Sequence, residues 1–273
     1  MATLLDDAFA RAKKDDRCAL IAYVVAGDPD METTRAILDA VVEAGADIIE
    51  LGVPYGDPLA DGPTIAAAGQ RALAAGMNLE NVFRLIPGTK APVVLFTYVN
   101  PILQYGAEKF ALAAKRHGAV GVIVPDVALE ELEPIREVMR KNGLIMPLLI
   151  APTTPDERAK KITQLSEGFN YIVSRLGVTG AKEAVDVEGL KDHAARARRM
   201  TGFQIAAGFG ISKAPQIVAI RDSVDGVIVR SALIDAYASQ KGAAAAAAAT
   251  SRLVRLLRLA CKRAAPAAAG AKG

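Results

Sequence analysis

The chain has 273 residues, with 33 basic and 30 acidic side chains for a formal charge of +3, and 52% of it is hydrophobic although aromatics make up 5% and tryptophan is absent. So small a net charge gives no reason to expect nucleic acid or an anionic membrane as an obligatory partner. An interior rich in Ala, Val, Ile and Gly is the material of buried parallel strands wrapped by helices.

The start, MATLLDDAFARAKKDDR, mixes acids and bases where a signal peptide needs a hydrophobic core, and no apolar run approaches the roughly twenty residues of a membrane span. Cys18 and Cys261 lie at opposite ends of the chain, outside any CxxC or histidine-containing cluster, which fits a reducing compartment. The sequence therefore reads as soluble and cytoplasmic. LDDAFARAKK has the length and position of a helix plugging the bottom of a barrel. Eight β-rich runs then follow, at 18–26, 47–53, 91–98, 120–126, 144–151, 170–177, 203–210 and 225–232. Between them stand amphipathic stretches such as METTRAILDAVVEAG, LEELEPIREVMRKNG and DERAKKITQLSEG, the first two closing on Gly just after the last periodic position. Strand, helix, strand at this spacing demands parallel pairing through right-handed crossovers. Eight such units in about 250 residues match one closed (β/α)8 TIM barrel, an α/β fold over 1–263, better than an open doubly wound sheet. At the far end an alanine run with Arg252, Arg255 and Arg258 reads as a last, basic barrel helix with a solvated arginine face rather than a membrane or nucleic-acid patch. Residues 264–273 read as a disordered tail.

In this architecture the chemistry belongs at the C-terminal ends of the strands and in the loops that follow. After the second strand comes IIELGVPYGDPLADGPTI, 48–65, with Glu50 inside an apolar run and Asp57 and Asp61 just beyond it. Desolvating a carboxylate is expensive, so either Glu50 is held by an arginine inside the barrel or its proton affinity is tuned for acid/base work with Asp61 as a second group. Asp57 reads equally as a turn or capping residue. GVTG (177–180), GFGIS (208–212) and Arg230–Ser231 follow strands six to eight. Glycines there are either ordinary turns or a cradle whose backbone N–H groups take a phosphate. His117 and His193 both fall in helical stretches, so no metal cluster is expected. Arg175 stands on the sixth strand where a Schiff-base enzyme needs lysine.

At YVVAGDPD, IIELGVPYGDPLADGPTI, LFTYVNPIL, IVPDVALEE, LLIAPTTPDERAKKI, YIVSRLGVTGA and AAGFGIS the chain resembles the tryptophan synthase α-subunit family, over nearly its whole length. The resemblance implies cleavage of indole-3-glycerol phosphate to indole and glyceraldehyde 3-phosphate, with no metal or organic cofactor. It implies Glu50 and Asp61 as catalytic carboxylates, Tyr171 beside them, Tyr23, Phe96, Ile123, Phe209 and Ile228 around the indole, and Gly180, Gly210 and Ser231 on the phosphate. The implied partner is a β subunit that carries pyridoxal phosphate and consumes the indole, in an α2β2 assembly, facing Pro54, Asp57, Asn100 and Pro101. A catalytically weak module that docks on and activates β, and a stand-alone indole-releasing lyase, are the alternatives.

Several positions depart from the family pattern: Gly56 stands where serine is usual, Val25 where threonine is common, Val99 where a second tyrosine is frequent and Ala128 where proline is frequent. The largest departure is Arg230, in place of a glycine of the phosphate cradle. Arginine there either adds charge to the phosphate or blocks the close backbone approach that glycine permits. Were residue 230 to adopt negative φ, its side chain would be expected to swing outward and leave the Ser231 N–H within reach of the phosphate.

Overall fold

The computed structural model describes residues 3–173, 186–208 and 210–263. Eight strands form one parallel sheet: β1 (Ala19–Val25), β2 (Ile48–Gly52), β3 (Val93–Phe96), β4 (Ala119–Ile123), β5 (Leu148–Ile150), β6 (Phe169–Val173), β7 (Gln204–Gly208) and β8 (Gly226–Val229). Their order is β4-β3-β2-β1-β8-β7-β6-β5. The seam between β4 and β5 is closed by a single parallel bridge from Gly121 to Ile145, in which Val122 N donates to Ile145 O and Ile145 N to Val120 O at 2.9 and 3.2 Å. Gly121 permits this approach, since a Cβ there would stand 2.8 Å from the Ile145 carbonyl oxygen. The run expected as one strand over 144–151 is thus split. Ile145 closes the barrel, Pro147 brings no N–H to a ladder, and the strand proper is Leu148–Ile150.

The helices between the strands are α1 (Leu4–Lys14), α2 (Met31–Glu43), α3 (Pro63–Ala74), α4 (Leu79–Leu85), α5 (Val99–Tyr105), α6 (Ala107–His117), α7 (Leu132–Lys141), α8 (Asp156–Leu165), α9 (Val187–Arg198), α10 (Ala214–Ile220), α11 (Ser231–Ala238) and α12 (Ala243–Ala260). Local sequence sets their ends. Thr3 and Asp6 form a capping box on α1, Asp30 accepts from Thr33 N to cap α2, and Pro63 opens α3 where its missing N–H is harmless. The stretch LEELEPIREVMRKNG enters through a 3-10 turn, Leu129–Glu131, before α7. The last expected strand, 225–232, stops at Val229, and Ser231 already belongs to α11 with Arg230 as its N-cap.

The plug at the barrel bottom is present as α1. Its Phe9 ring lies 5.8 Å from that of Phe169 at the start of β6 and against Gly226 at the start of β8. Helix α12 packs on α2 and α11 through Val254, Leu257 and Ala260, which are buried, while Arg252 and Arg255 are exposed. Arg258 differs from the expected solvated face: it turns back to Asp15 at 3.4 Å and lies along Gly45. Cys18 and Cys261, distant in sequence, meet here, with Cys18 N donating to Cys261 O at 3.1 Å; both are buried and not disulfide-bonded. The expected tail at 264–273 lies outside the described residues.

Candidate active site

The C-terminal ends of β1, β2, β3, β6 and β8 bring together the residues singled out in the sequence. Glu50 on β2 pairs in register with Tyr23 on β1, and Phe96 on β3 with Gly52 and Ile123. Between them sits the side chain of Arg230. Its Nη2 donates to Glu50 Oε1 at 2.5 Å and its Nε to Oε2 at 3.2 Å, and its Nη1 is 3.8 Å from Asp61 Oδ1. The guanidinium carbon lies 3.8 Å from the Phe96 ring centroid, 4.7 Å from that of Tyr23 and 5.6 Å from that of Tyr171. The two ends of the ion pair are 3% and 1% exposed. One cation is therefore shared by two buried carboxylates inside an aromatic box.

The electrostatics follow from that enclosure. Burial pushes the Glu50 carboxyl above the ordinary carboxylate range, although the Arg230 guanidinium pulls the other way and Asp61 adds to the rise. Asp61 is also raised by burial, opposed by Arg230 and by the Tyr98 hydroxyl. Burial likewise raises the phenols of Tyr23, Tyr98 and Tyr171, which stay neutral donors. Tyr98 donates to Asp61 Oδ2 at 3.0 Å and accepts from Ala60 N at 3.0 Å, which fixes the loop carrying Asp61. Asp61 Oδ1 is buried without a hydrogen bond among the described residues. Tyr98 was not singled out as a site residue from the sequence, where it reads as the end of an apolar strand; its hydroxyl beside a loop carboxylate is a contact between residues 37 positions apart.

Two glycines of the mouth serve tyrosines. A Cβ on Gly52 would stand 2.2 Å from the Tyr23 hydroxyl, and one on Gly208 would stand 2.1 Å from that of Tyr171. The first glycine of GFGIS thus makes room for a buried ring, whereas Gly210 has φ +83 and supplies backbone conformation. Ile123 and Ile228 are buried beside the box and Ser231 begins α11. Gly180, the GVTG loop, Arg175 and Phe209 lie outside the described residues.

Arg230 differs from the expectation of an outward side chain. Its φ is −118, so glycine conformation is not required, yet the side chain turns into the mouth. The reason is local: two carboxylates and three aromatic faces offer a guanidinium more than solvent does. Next to Tyr23 and Asp61 lies a small cavity of about 10 Å³, lined also by Val53, Tyr55 and Ile65, the room of scarcely one water. On the rim, Asn100 Nδ2 donates to Tyr55 Oη at 3.1 Å, joining the β2–α3 loop to the N-terminus of α5. Asp57 and Asn100 are exposed there and Pro54 and Pro101 half-buried. Among the described residues no group of three or more His, Cys, Asp or Glu side chains is placed to hold a metal, and no helix is long and apolar enough to cross a membrane.

The family model described as tryptophan synthase alpha chain matches residues 9–263. The chain belongs to the tryptophan synthase alpha chain family. It is 45% identical to the tryptophan synthase alpha chain of Arabidopsis thaliana over 235 residues, which covers 84% of this chain and 85% of that one. Identity to the tryptophan synthase alpha chain of Methanosarcina acetivorans is 47% over 234 residues, with 84% and 85% covered. Among solved structures, Mycobacterium tuberculosis tryptophan synthase superposes with a TM-score of 0.89 at 32% identity, over 97% of this chain and 100% of that one. Tryptophan synthase subunit alpha from Legionella pneumophila gives 0.85 at 31% identity, over 96% and 99%. The span matched to the tryptophan synthase alpha chain model includes every strand and the whole Glu50, Asp61 and Arg230 cluster.

Proposed function

We propose that the chain is a carbon–carbon lyase that cleaves indole-3-glycerol phosphate to indole and glyceraldehyde 3-phosphate, as the α subunit of a tryptophan synthase. Family membership supports the reaction, and one observation carries the mechanism: Glu50 and Asp61, both buried and both raised by burial, face one aromatic mouth. Breaking the bond requires a proton on indole C3, which turns the ring into an electron sink, and loss of the proton from the neighbouring side-chain hydroxyl. The bonding electrons then return to the ring, leaving indole and an aldehyde. Glu50 serves these proton transfers, for which a raised carboxyl pKa is suited. Asp61, whose Oδ1 has no hydrogen bond among the described residues, accepts the indole N–H and stabilises the charge that develops on the ring. The substrate supplies the electron sink, so these steps call on no metal or organic cofactor. Gly180, Gly210 and the Ser231 N–H at the start of α11 take the phosphate.

The partner reading is a β subunit, carrying pyridoxal phosphate, that covers the mouth in an α2β2 assembly in the cytoplasm. Supporting it, Pro54 and Asp57 on one loop and Asn100 and Pro101 on the next stand at the rim, bridged through Tyr55. Leu59 and Leu103 on the same two segments are 71% and 57% exposed. The docking-module reading has one observation in its favour, the arginine that fills the aromatic box.

Indole release from indole-3-glycerol phosphate, assayed with and without a β subunit, tests these readings together. Glu50→Gln and Asp61→Asn are each expected to lose about 10²-fold or more of the activity. Near-normal turnover in a folded Glu50→Gln chain would remove Glu50 from the mechanism. Activation of β by a wild-type chain that releases no indole would establish the docking module instead.

A further inference from the structure

We propose that Arg230 is a self-ligand of the indole site: its guanidinium occupies the aromatic box and holds Glu50 until the phosphate of a ligand draws it away, so that phosphate binding opens the indole position. The proposal rests on the lyase reading above and adds an order of events to it. A guanidinium is flat and stacks on aromatic faces, and it lies here on Phe96 and Tyr23, the faces proposed to receive the indole ring. It also takes both oxygens of Glu50. In this arrangement neither the ring nor its acid can be engaged.

The exchange is chemically even-handed. Guanidinium binds phosphate in the same two-pronged way as carboxylate. Arg230 is the N-cap of α11, whose first N–H groups are the proposed phosphate donors. Rotation about its side-chain bonds alone therefore carries the cation from one anion to the other, and it is paired at both ends of the movement. Glu50 accepts hydrogen bonds from Arg230 only, among the described residues, with no backbone donor to anchor it. Released, it stands beside the indole with its proton affinity set by burial. When glyceraldehyde 3-phosphate leaves, the arginine returns to the box and expels indole. Ligands that lack phosphate must instead compete with the closed state, and their apparent affinity falls by the fraction of chains that are open.

Equilibrium dialysis of labelled indole against the full chain, with and without glycerol 3-phosphate as the phosphate probe, tests this. In the wild type glycerol 3-phosphate should tighten indole binding by about tenfold or more, with indole tightening glycerol 3-phosphate by the same factor. In Arg230→Gly, indole should bind without the probe about as well as the wild type does with it, and the coupling should shrink to within about twofold. Equal coupling in the variant, or none in the wild type, overturns the proposal. Should the glycine variant not fold, the Arg230 Nε–H resonance of the wild type decides, since it must move when glycerol 3-phosphate is added. A stationary resonance overturns the proposal, as does failure of glycerol 3-phosphate to bind. A wild type that releases indole from its substrate yet shows no coupling removes this proposal alone; one that neither releases nor binds indole removes the lyase reading and this proposal with it.

Discussion

The barrel buries an arginine–carboxylate pair at each end, and the two are held differently. At the bottom, Arg17 grips Asp47 at 2.5 and 2.7 Å, and Asp47 also accepts from Leu20 N at 2.8 Å. Arg17 reaches Asp15 at 3.2 Å and the Cys18 carbonyl as well, and Asp15 receives Arg258 from α12. That pair ties the end of α1, the entries of β1 and β2, and the last helix into one knot. At the mouth, Glu50 is held by Arg230 alone among the described residues, and the next charge along is a second carboxylate, Asp61. A buried ion pair anchored by backbone donors is fixed scaffolding. One whose anion has a single exchangeable donor, under a stacked cation, can be taken apart by a better ligand.

The largest expected effect puts a number on that difference. Asp47→Asn leaves the Arg17 charge buried in a framework it cannot leave, and should cost about 3–5 kcal/mol of stability. Glu50→Gln should cost less than about half as much, because Arg230 can turn toward the proposed phosphate site and solvent. Urea unfolding of both variants measures it. If Glu50→Gln proves as costly as Asp47→Asn, Arg230 is scaffold like Arg17 and the contrast between the two ends collapses.

A smaller effect separates the ends by function. An alanine at position 208 would place Cβ 2.1 Å from the Tyr171 hydroxyl, and the buried ring has to move. At the bottom, an alanine at 226 would stand 3.0 Å from the Phe9 ring and 3.5 Å from the Ala19 carbonyl oxygen. Each substitution overpacks the interior, and about 1–3 kcal/mol is the expected loss. Only Gly208→Ala should also raise KM for indole-3-glycerol phosphate in the folded fraction, because Tyr171 is one wall of the aromatic box. Equal KM in the two variants would take Tyr171 out of the site.

Much of this architecture can be read from local pattern. Apolar runs of strand length, alternating with amphipathic stretches, mark all eight strands, and the amphipathic start marks the plug, because these features repeat within a few residues. What local pattern does not carry is contact across the barrel. The closing bridge from Gly121 to Ile145 looks, in sequence, like the middle of one strand and the start of another. Cys18 and Cys261 read as opposite ends of the chain, yet they touch. An arginine inside the barrel was one reading of Glu50, but which arginine depends on β1 standing between β2 and β8, and the pair spans 180 positions. The direction of the Arg230 side chain escapes local pattern for the same reason: backbone φ is the local question, while the carboxylates and rings that attract the guanidinium come from four other strands and the Asp61 loop. Tyr98 gains its role only when the Asp61 loop folds over it.

The smallest effect concerns pH and tests whether the mouth stores destabilised charge. Asp61 has its carboxyl raised above the ordinary value of 3.8 by burial, with Arg230 and Tyr98 only partly opposing. A raised carboxyl holds its proton more tightly folded than unfolded. Between the unfolded and folded pKa values the folded state therefore binds more protons, and stability falls as pH rises from about 4 until the folded carboxyl has ionised. Asparagine cannot ionise, and its oxygen still accepts from Tyr98. The stability of Asp61→Asn relative to wild type should thus be least favourable in acid, grow with pH and then level off, as followed by thermal midpoints from pH 4 to about 8. The same variant is expected to lose indole release, and stability and activity moving in opposite directions at one residue would mark a charge kept for chemistry. A gap that stays flat or narrows as pH rises would mean that the guanidinium outweighs burial, and Asp61 would then belong with Asp47 among the anions that hold the barrel together.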